Sequence, residues 1–146
     1  MQKPARRRAN TKALRRQAEV AAEHWMAKRL GCIAIRRAVR TQWQRVDFFG
    51  ADLVGVLDTG AKIYIQVTTG SRSAMSTRRA KLGAFPWHTS ETVLLLNLIA
   101  TASPAKGRQT EYWFRVEELD GHWRDWDDPV AVPRNWFKKP IDLAKS

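Results

Sequence analysis

The sequence predicts a single α/β domain with a mixed central sheet flanked by helices, in the order α-β-β-β-α-β-β. Two apolar, β-branched runs on either side of an Asp-Thr-Gly turn predict a β-hairpin with strands at about 51–57 and 62–68. The predominantly apolar run ETVLLLNLI predicts a strand at 91–99 that is buried on both faces in the centre of the sheet. With 146 residues, the chain is long enough for one substantial core and too short for two.

The first predicted helix follows a basic N-terminal stretch. Residues 1–9 (MQKPARRRA) indicate a flexible basic arm ahead of a domain at 10–146. Asn10 or Thr11 can cap a helix that runs to about Leu30 and ends at Gly31. Apolar residues at helical spacing form its narrow core-facing stripe: Leu14, Ala18, Ala21, Ala22, Trp25 and Leu30.

The remaining elements follow in chain order. A strand is predicted at 32–39, and a polar, aromatic loop at 40–50 leads into the hairpin. After the hairpin, a stretch rich in Ser and Thr caps a basic helix that ends before Pro86. A further strand is predicted at 111–116, and the last thirty residues, rich in Trp and Pro, are expected to wrap irregularly over the core.

The charge is concentrated at one end of the chain. Of the net charge of +12, residues 1–45 carry 13 Lys or Arg and two Glu, whereas residues 46–146 are almost neutral. A basic third on a neutral body is typical of a protein that binds a phosphate backbone. No long apolar span is present and the basic helix lacks a strongly hydrophobic face, which disfavours a membrane as the polyanion.

Cysteine and histidine usage narrows the chemistry. Cys32 is the only cysteine, so an internal disulfide and a cysteine-cluster zinc site are excluded. His24, His88 and His122 are scattered without the spacing of zinc ligands. The N-terminus has no apolar segment typical of a secretion signal, so we expect a cytoplasmic protein.

The hairpin carries the residues that indicate a function. With the turn centred near Thr59, Asp52 lies opposite or nearly opposite Gln66, and Thr68 shares the side of Gln66. A two-residue loop would shift the pairing by one residue, so the sequence leaves the register open. An Asp facing Gln-x-Thr on the neighbouring strand is a suitable arrangement for holding a divalent ion.

Oxygen donors favour a hard cation such as Mg²⁺, which serves phosphodiester hydrolysis by activating water and neutralising phosphoryl charge. Asp52 supplies a carboxylate, Gln66 a side-chain carbonyl and Val67 a backbone carbonyl, while Glu19 or Glu23 of the first helix could complete the shell. The alternative for Asp52 is a turn-type residue that opens a strand. For the two glutamates it is helix salt bridges with neighbouring arginines.

This set of residues resembles the PD-(D/E)XK nuclease superfamily, and within it the archaeal-type Holliday junction resolvases and their phage-borne relatives. The resemblance covers roughly residues 17–81, through a helical Glu, the stretch DFFGADLV and the stretch IQVTT before a basic helix. Glu19 matches the helix glutamate and Asp52 the metal-binding aspartate. Gln66 matches the (D/E/Q) position and Thr68 the terminal lysine position. The resemblance implies a restriction-endonuclease-like fold with Glu19, Asp52, Gln66 and Thr68 in the catalytic site.

The departures from the superfamily pattern carry predictions of their own. Thr68 has no charge, so a cation from the following helix is expected to replace the motif lysine, Lys81 first and Arg78 second. Gln66 in place of a carboxylate predicts weaker Mg²⁺ affinity, and Mn²⁺ is expected to substitute. Asp47, ahead of the hairpin, is expected to cap its loop or to contact metal or DNA.

DNA contacts are predicted mainly to phosphates. The basic residues are Lys3, Arg6, Arg7, Arg8, Arg15, Arg16, Arg36, Arg37, Arg40, Arg78 and Arg79. Trp43 and Phe48 or Phe49 lie next to the predicted site and could stack at an open junction; core packing is the alternative for each.

The resulting prediction is a Mg²⁺-dependent, structure-selective endodeoxyribonuclease that resolves four-way DNA junctions by paired symmetric nicks. The two-fold symmetry of such a junction favours a homodimer. The alternatives are a repair or restriction-type nickase of the same fold, a DNA-binding module that has lost activity, and a basic RNA-associated protein.

Overall fold

The computed structural model describes residues 3–40, 45–46, 48, 50–69, 72–101 and 105–143, with side chains described from Leu14 onward except at 39–40, 45–46 and 72–74. The helices are α1 (Lys3–Lys28) and α2 (Arg72–Gly83), and a 3₁₀ turn, η1 (Arg134–Phe137), follows the last strand. The strands are β1 (Ala34–Arg37), β2 (Val39–Arg40), β3 (Arg45–Val46), β4 (Leu53–Val56), β5 (Lys62–Thr68), β6 (Thr92–Ala100), β7 (Tyr112–Asp120), β8 (His122–Asp125) and β9 (Val130–Val132). The prediction of a mixed α/β fold with helices beside a mixed sheet is confirmed.

The sheet is antiparallel except at its centre. The hydrogen-bonded order is β1-β4-β5-β6-β7-β8, and β9 also pairs with β7, while β2 and β3 form a separate ribbon. Strands β5 and β6 are parallel because α2 connects them, and every other pair is antiparallel. The predicted central strand is β6, which lies between β5 and β7 as its apolar sequence indicates.

Helix α1 begins earlier than its capping residues suggest. The structure extends it back to Lys3, so residues 3–9 of the expected basic arm lie within the helix. Its C-terminal end agrees with the prediction, since Gly31 follows it with a φ of +79° that glycine adopts without strain. Neither described helix has the length and apolar character needed to cross a bilayer.

The hairpin forms with a definite register. Leu53 of β4 pairs with Ile65 of β5, which places Asp52 beside Gln66. The turn between the strands is closed by the Leu57 amide donating to the Ala61 carbonyl at 2.9 Å. The predicted hairpin is therefore confirmed. Strand β5 has the expected bounds, whereas β4 is a few residues shorter than expected.

Successive side chains of a strand point to opposite faces of the sheet, so the core has two parts, one on each face. One face packs against α1 through Leu53, Ile65, Val67, Leu94, Leu96 and Phe114, together with Trp25 and Met26 of the helix. The opposite face packs against α2 through Ala51, Tyr64, Val93 and Leu82. Gly55 allows α1 to approach closely, because a Cβ there would lie 2.5 Å from the Cys32 Sγ and 2.6 Å from the Met26 Cε.

The C-terminal segment is more regular than the sequence suggests. Strands β8 and β9 both pair with β7 on the side away from β6, where we expected irregular chain. The 3₁₀ turn then places Trp136 in the core against α1, and Trp126 packs edge-on against Trp25 at 5.6 Å between ring centroids. Trp136 of η1 and Trp126, the residue that follows β8, therefore both pack against the core.

Candidate functional site

Asp52 lies at the start of β4, where three strands meet. Its backbone amide donates to the Ile65 carbonyl of β5 at 2.8 Å, and its carbonyl accepts from the Ala38 amide after β1 at 2.8 Å. The side chain is 1% exposed. A carboxylate in such a place needs hydrogen-bond donors, because burial without partners is costly.

The neighbouring strand supplies two of these donors. The Asp52 Oδ2 accepts from the Gln66 Nε2 at 2.8 Å and from the Val67 backbone amide at 2.9 Å. The predicted juxtaposition of Asp52 and Gln66 is therefore present, and the register that the sequence left open has the two residues directly opposite. Gln66 is itself buried, with 3% of its surface exposed.

Helix α1 supplies a cation to the same carboxylate. The Arg15 Nη2 donates to the Asp52 Oδ1 at 3.3 Å, and the Arg15 Nε lies 4.0 Å from the Glu19 Oε1 one helical turn further on. Glu19, Arg15 and Asp52 thus form one charged group that joins α1 to the hairpin. The sequence places Arg15 and Glu19 on one helical face, but nothing in it indicates that Arg15 reaches Asp52.

The second helix glutamate has a different role. Glu23 accepts two hydrogen bonds from Arg37 of β1, one from the Nε at 2.9 Å and one from the Nη2. This pairing raises the pKa of the Arg37 guanidinium, chiefly through the hydrogen bond to Glu23 and against the opposing effect of burial. The alternative expected for Glu23 was a helix salt bridge with a neighbouring arginine, whereas the structure pairs Glu23 with an arginine of β1.

Thr68, at the predicted lysine position, is buried with 1% of its surface exposed. In the register of β5 and β6 it lies beside Asn97, whose Oδ1 is buried and has no hydrogen-bond partner among the described atoms. Asn97 was not predicted as a site residue. Its position inside an apolar run was the available signal, since a polar residue in a central strand needs an explanation.

The two cations proposed to replace the motif lysine lie on α2. Lys81 is exposed, and two of its side-chain methylene groups lie 3.5–3.6 Å from where a Cβ of Gly50 would be. Arg78 is partly buried. Arg15, which we predicted to contact DNA phosphates, donates to the Asp52 carboxylate in the structure.

Several predicted DNA-contacting residues are engaged in internal pairs. Arg79 donates from its Nε and Nη2 to Glu117 of β7 at 2.7 and 2.8 Å, and this bond is the main reason that the pKa of Arg79 is raised. Arg37 is paired with Glu23 as described. Arg16 and Arg36 are exposed. Phe48 packs on the α2 side of the core, in agreement with its alternative assignment.

The other predicted contacts fall outside the described side chains. Arg6, Arg7 and Arg8 lie in α1, but only their backbone is described, and the same holds for Arg40 in β2. Trp43, Asp47 and Phe49 lie outside the described residues altogether. Their predicted roles at the junction therefore stay predictions.

Comparison with known proteins adds no relative: no protein-family model, curated protein or solved structure matches the chain.

Proposed function

We propose that this chain is a Mg²⁺-dependent, structure-selective endodeoxyribonuclease with a restriction-endonuclease-like fold, acting in the cytoplasm on four-way or otherwise branched DNA. The observation that carries the proposal is the buried Asp52 carboxylate, which meets Gln66 from the next strand and shares Arg15 with Glu19 of α1. Polar and charged groups from different elements that converge at one buried position are candidates for a functional site.

The connectivity supports the same proposal. Helix α1 precedes strands β1, β4 and β5, which are antiparallel neighbours in the sheet, and the crossover helix α2 leads from β5 to the parallel strand β6. We take this connectivity as support for the restriction-endonuclease-like fold that the PD-(D/E)XK resemblance implies. The ribbon β2–β3 and strands β8 and β9 are additions to that order.

The donor chemistry fits a hard cation. The groups that would hold it are the Asp52 carboxylate, the Gln66 side-chain carbonyl, the Val67 carbonyl and the Glu19 carboxylate, all oxygen donors. Rotation of the Gln66 amide by half a turn exchanges its nitrogen for its oxygen at the position 2.8 Å from Asp52. Among the described residues no three His, Cys, Asp or Glu cluster as metal ligands, so the amide and backbone oxygens are essential to this assignment.

When bound, Mg²⁺ would supply an activated water and charge neutralisation at the scissile phosphate. The chain itself holds the carboxylate in place through the Val67 backbone amide, and the side chain of Asp52 is buried from bulk water. The basic helix α1, with eight Lys or Arg and two Glu, would bind the DNA backbone beside this site. The symmetry of a four-way junction favours a homodimer with two such sites.

The direct test compares two aspartates of the hairpin. Asp52→Asn is expected to abolish Mg²⁺-dependent nicking of a synthetic four-way junction, because it removes the anionic ligand while keeping the size of the side chain. Asp58→Asn, in the exposed turn of the same hairpin, is the matched control and should nick at the wild-type rate. Equal activity of both variants and wild type would contradict the assignment of Asp52.

A second candidate is a DNA-binding module of the same fold without nuclease activity. The observation that favours it is that both Asp52 oxygens already accept hydrogen bonds, while Thr68 brings no charge. In that case wild type binds junctions at moderate salt but does not nick them, and Asp52→Asn binds equally well. Activity of wild type on the junction rules this candidate out.

A further inference from the structure

Arg15 lies between the helix and the hairpin at the proposed site. Its guanidinium joins two carboxylates from different elements, with the Nη2 3.3 Å from the Asp52 Oδ1 and the Nε 4.0 Å from the Glu19 Oε1. A positive group placed between two carboxylates neutralises their mutual repulsion. Arg15 therefore has the electrostatic role that a bound cation would have at the same pair.

Asp52 and Glu19 are also the two carboxylates among the proposed metal donors. The Asp52 side chain is 1% exposed, so charges around it interact through a medium of low polarity and repel strongly when they have the same sign. A guanidinium and a divalent cation cannot both contact the Asp52 Oδ1 without a large electrostatic penalty.

We propose that Arg15 is an internal counter-ion that competes with the divalent cation for Asp52 and must leave the Oδ1 before that cation binds. This inference rests on the proposed function, since it takes Asp52 as the metal ligand. Arg15 is then a positioning residue of the site and not the DNA-phosphate contact that we predicted from the sequence.

The surroundings of Arg15 allow it to leave. Its side chain is 31% exposed and makes a single 3.3 Å contact with Asp52, so rotation of its flexible stem takes the guanidinium into solvent. Arg37 contrasts with it, since two hydrogen bonds to Glu23 form a bidentate pair that holds the guanidinium in a fixed orientation. The one long hydrogen bond from Arg15 to Asp52 is weaker than this bidentate pair, so a bound cation can displace it.

The test measures the affinity of the folded protein for Mn²⁺ alone, by electron paramagnetic resonance of the free ion. Arg15→Gln is expected to bind Mn²⁺ about tenfold or more tightly than wild type, because one competing positive charge is gone. Arg15→Lys keeps the charge and should remain close to wild type. The matched control is Arg16→Gln, which removes the same charge from the exposed neighbouring position and should leave the affinity unchanged.

The direction of the effect separates this proposal from a structural role. If Arg15 only supported the fold, its removal would loosen the donors and weaken Mn²⁺ binding, and that result would overturn the proposal, as would an unchanged affinity. Circular dichroism confirms folding, and Arg15→Met replaces Arg15→Gln if the latter unfolds. Junction nicking by the wild-type protein is measured in parallel. If the wild type nicks and all variants bind Mn²⁺ equally, the counter-ion role of Arg15 is rejected and the proposed function stands. If the wild type does not nick and no variant binds Mn²⁺, the proposed function is rejected as well.

Discussion

Two ion pairs between residues distant in sequence connect the helices to the sheet. Glu23 is 7% exposed and accepts two hydrogen bonds from Arg37, and Glu117 is similarly buried and paired with Arg79. Each pair ties a helix to a strand: α1 to β1, and α2 to β7. The buried carboxylates are satisfied by these arginines, so the loss of either arginine leaves an uncompensated charge.

Replacing Arg37 by Gln should therefore destabilise the protein. Since Glu23 would lose both hydrogen bonds while remaining largely buried, we expect the free energy of unfolding at pH 7 to fall by about 2 kcal/mol. Urea denaturation followed by tryptophan fluorescence measures this change. Arg36→Gln, at the exposed neighbouring position on β1, is the control and should change it by less than about 0.5 kcal/mol. Equal effects of the two substitutions would argue against the pair as a stabilising contact.

Cys32 allows a prediction of pH dependence. Burial raises the pKa of its thiol above the ordinary value of 9.0, so the folded protein keeps the thiol protonated where the unfolded chain ionises. The unfolded state then binds fewer protons, and stability should fall as the pH rises through the unfolded pKa near 9. Urea midpoints at pH 7.5 and 9.5 measure the loss, and Cys32→Ala should reduce its pH dependence. A midpoint of the wild type that is constant over this range would contradict the prediction.

The sequence predicts those helices and strands whose signals are local, but not the side-chain pairs that join distant elements. The hairpin follows from its turn residues and β-branched runs, and the end of α1 follows from Gly31, because both signals lie within a few residues. The pairs Glu23–Arg37 and Arg79–Glu117 join residues 14 and 38 positions apart, and no local pattern fixes such contacts. For the same reason the sequence predicted that Asp52 meets Gln66 across one short turn, but not that Arg15 reaches it from α1.

Strands β8 and β9 were not predicted because their sequences lack an apolar alternation. His122, Arg124 and Asp125 are polar and exposed, so β8 is an edge strand fixed by backbone pairing with β7 and by Trp123. Trp123 packs on the α2 side of the core and donates its indole N–H to the Arg79 carbonyl at 3.2 Å. A strand at the edge of a sheet can form through backbone hydrogen bonds without an alternating apolar sequence. This is why the sequence did not predict β8 and β9.

The contact between α1 and the hairpin is testable at Gly55. Gly55→Ala would place a methyl group 2.5 Å from the Cys32 Sγ and 2.6 Å from the Met26 Cε, so neighbouring groups must shift. We expect a loss of about 1–3 kcal/mol in the free energy of unfolding, typical of overpacking. Gly83→Ala is the control, since its nearest atom across the fold is the Trp123 Nε1 at 3.8 Å, and thermal denaturation should show little change. A wild-type melting temperature for Gly55→Ala would mean that α1 packs less closely than described.

Positive and negative charges lie on different parts of the described surface. Helix α1 carries eight Lys or Arg and two Glu. The end of the sheet formed by β6 and β7, by contrast, borders a cavity of about 520 Å³ whose lining includes Glu91, Glu118 and Asp120 but no Lys or Arg among the described residues. Under the proposed function, a DNA backbone would be attracted to the first surface and repelled by the second. We therefore propose that the duplex lies along α1, the helix from which Arg15 reaches Asp52.

Salt dependence of DNA binding tests this orientation. Replacing the exposed residues Arg16 and Lys28 of α1 by Gln removes two charges from the proposed DNA surface, so junction affinity at 0.1 M salt should fall. The slope of log K against log salt should decrease by about 0.9 for each phosphate that the protein no longer neutralises. The control replaces Lys106 and Arg108, two exposed residues of the loop between β6 and β7, by Gln. This pair has the same change in net charge, and its slope should stay at the wild-type value. If both pairs of substitutions weaken binding equally, attraction depends only on the total charge of the protein, and α1 is not the surface along which the duplex lies.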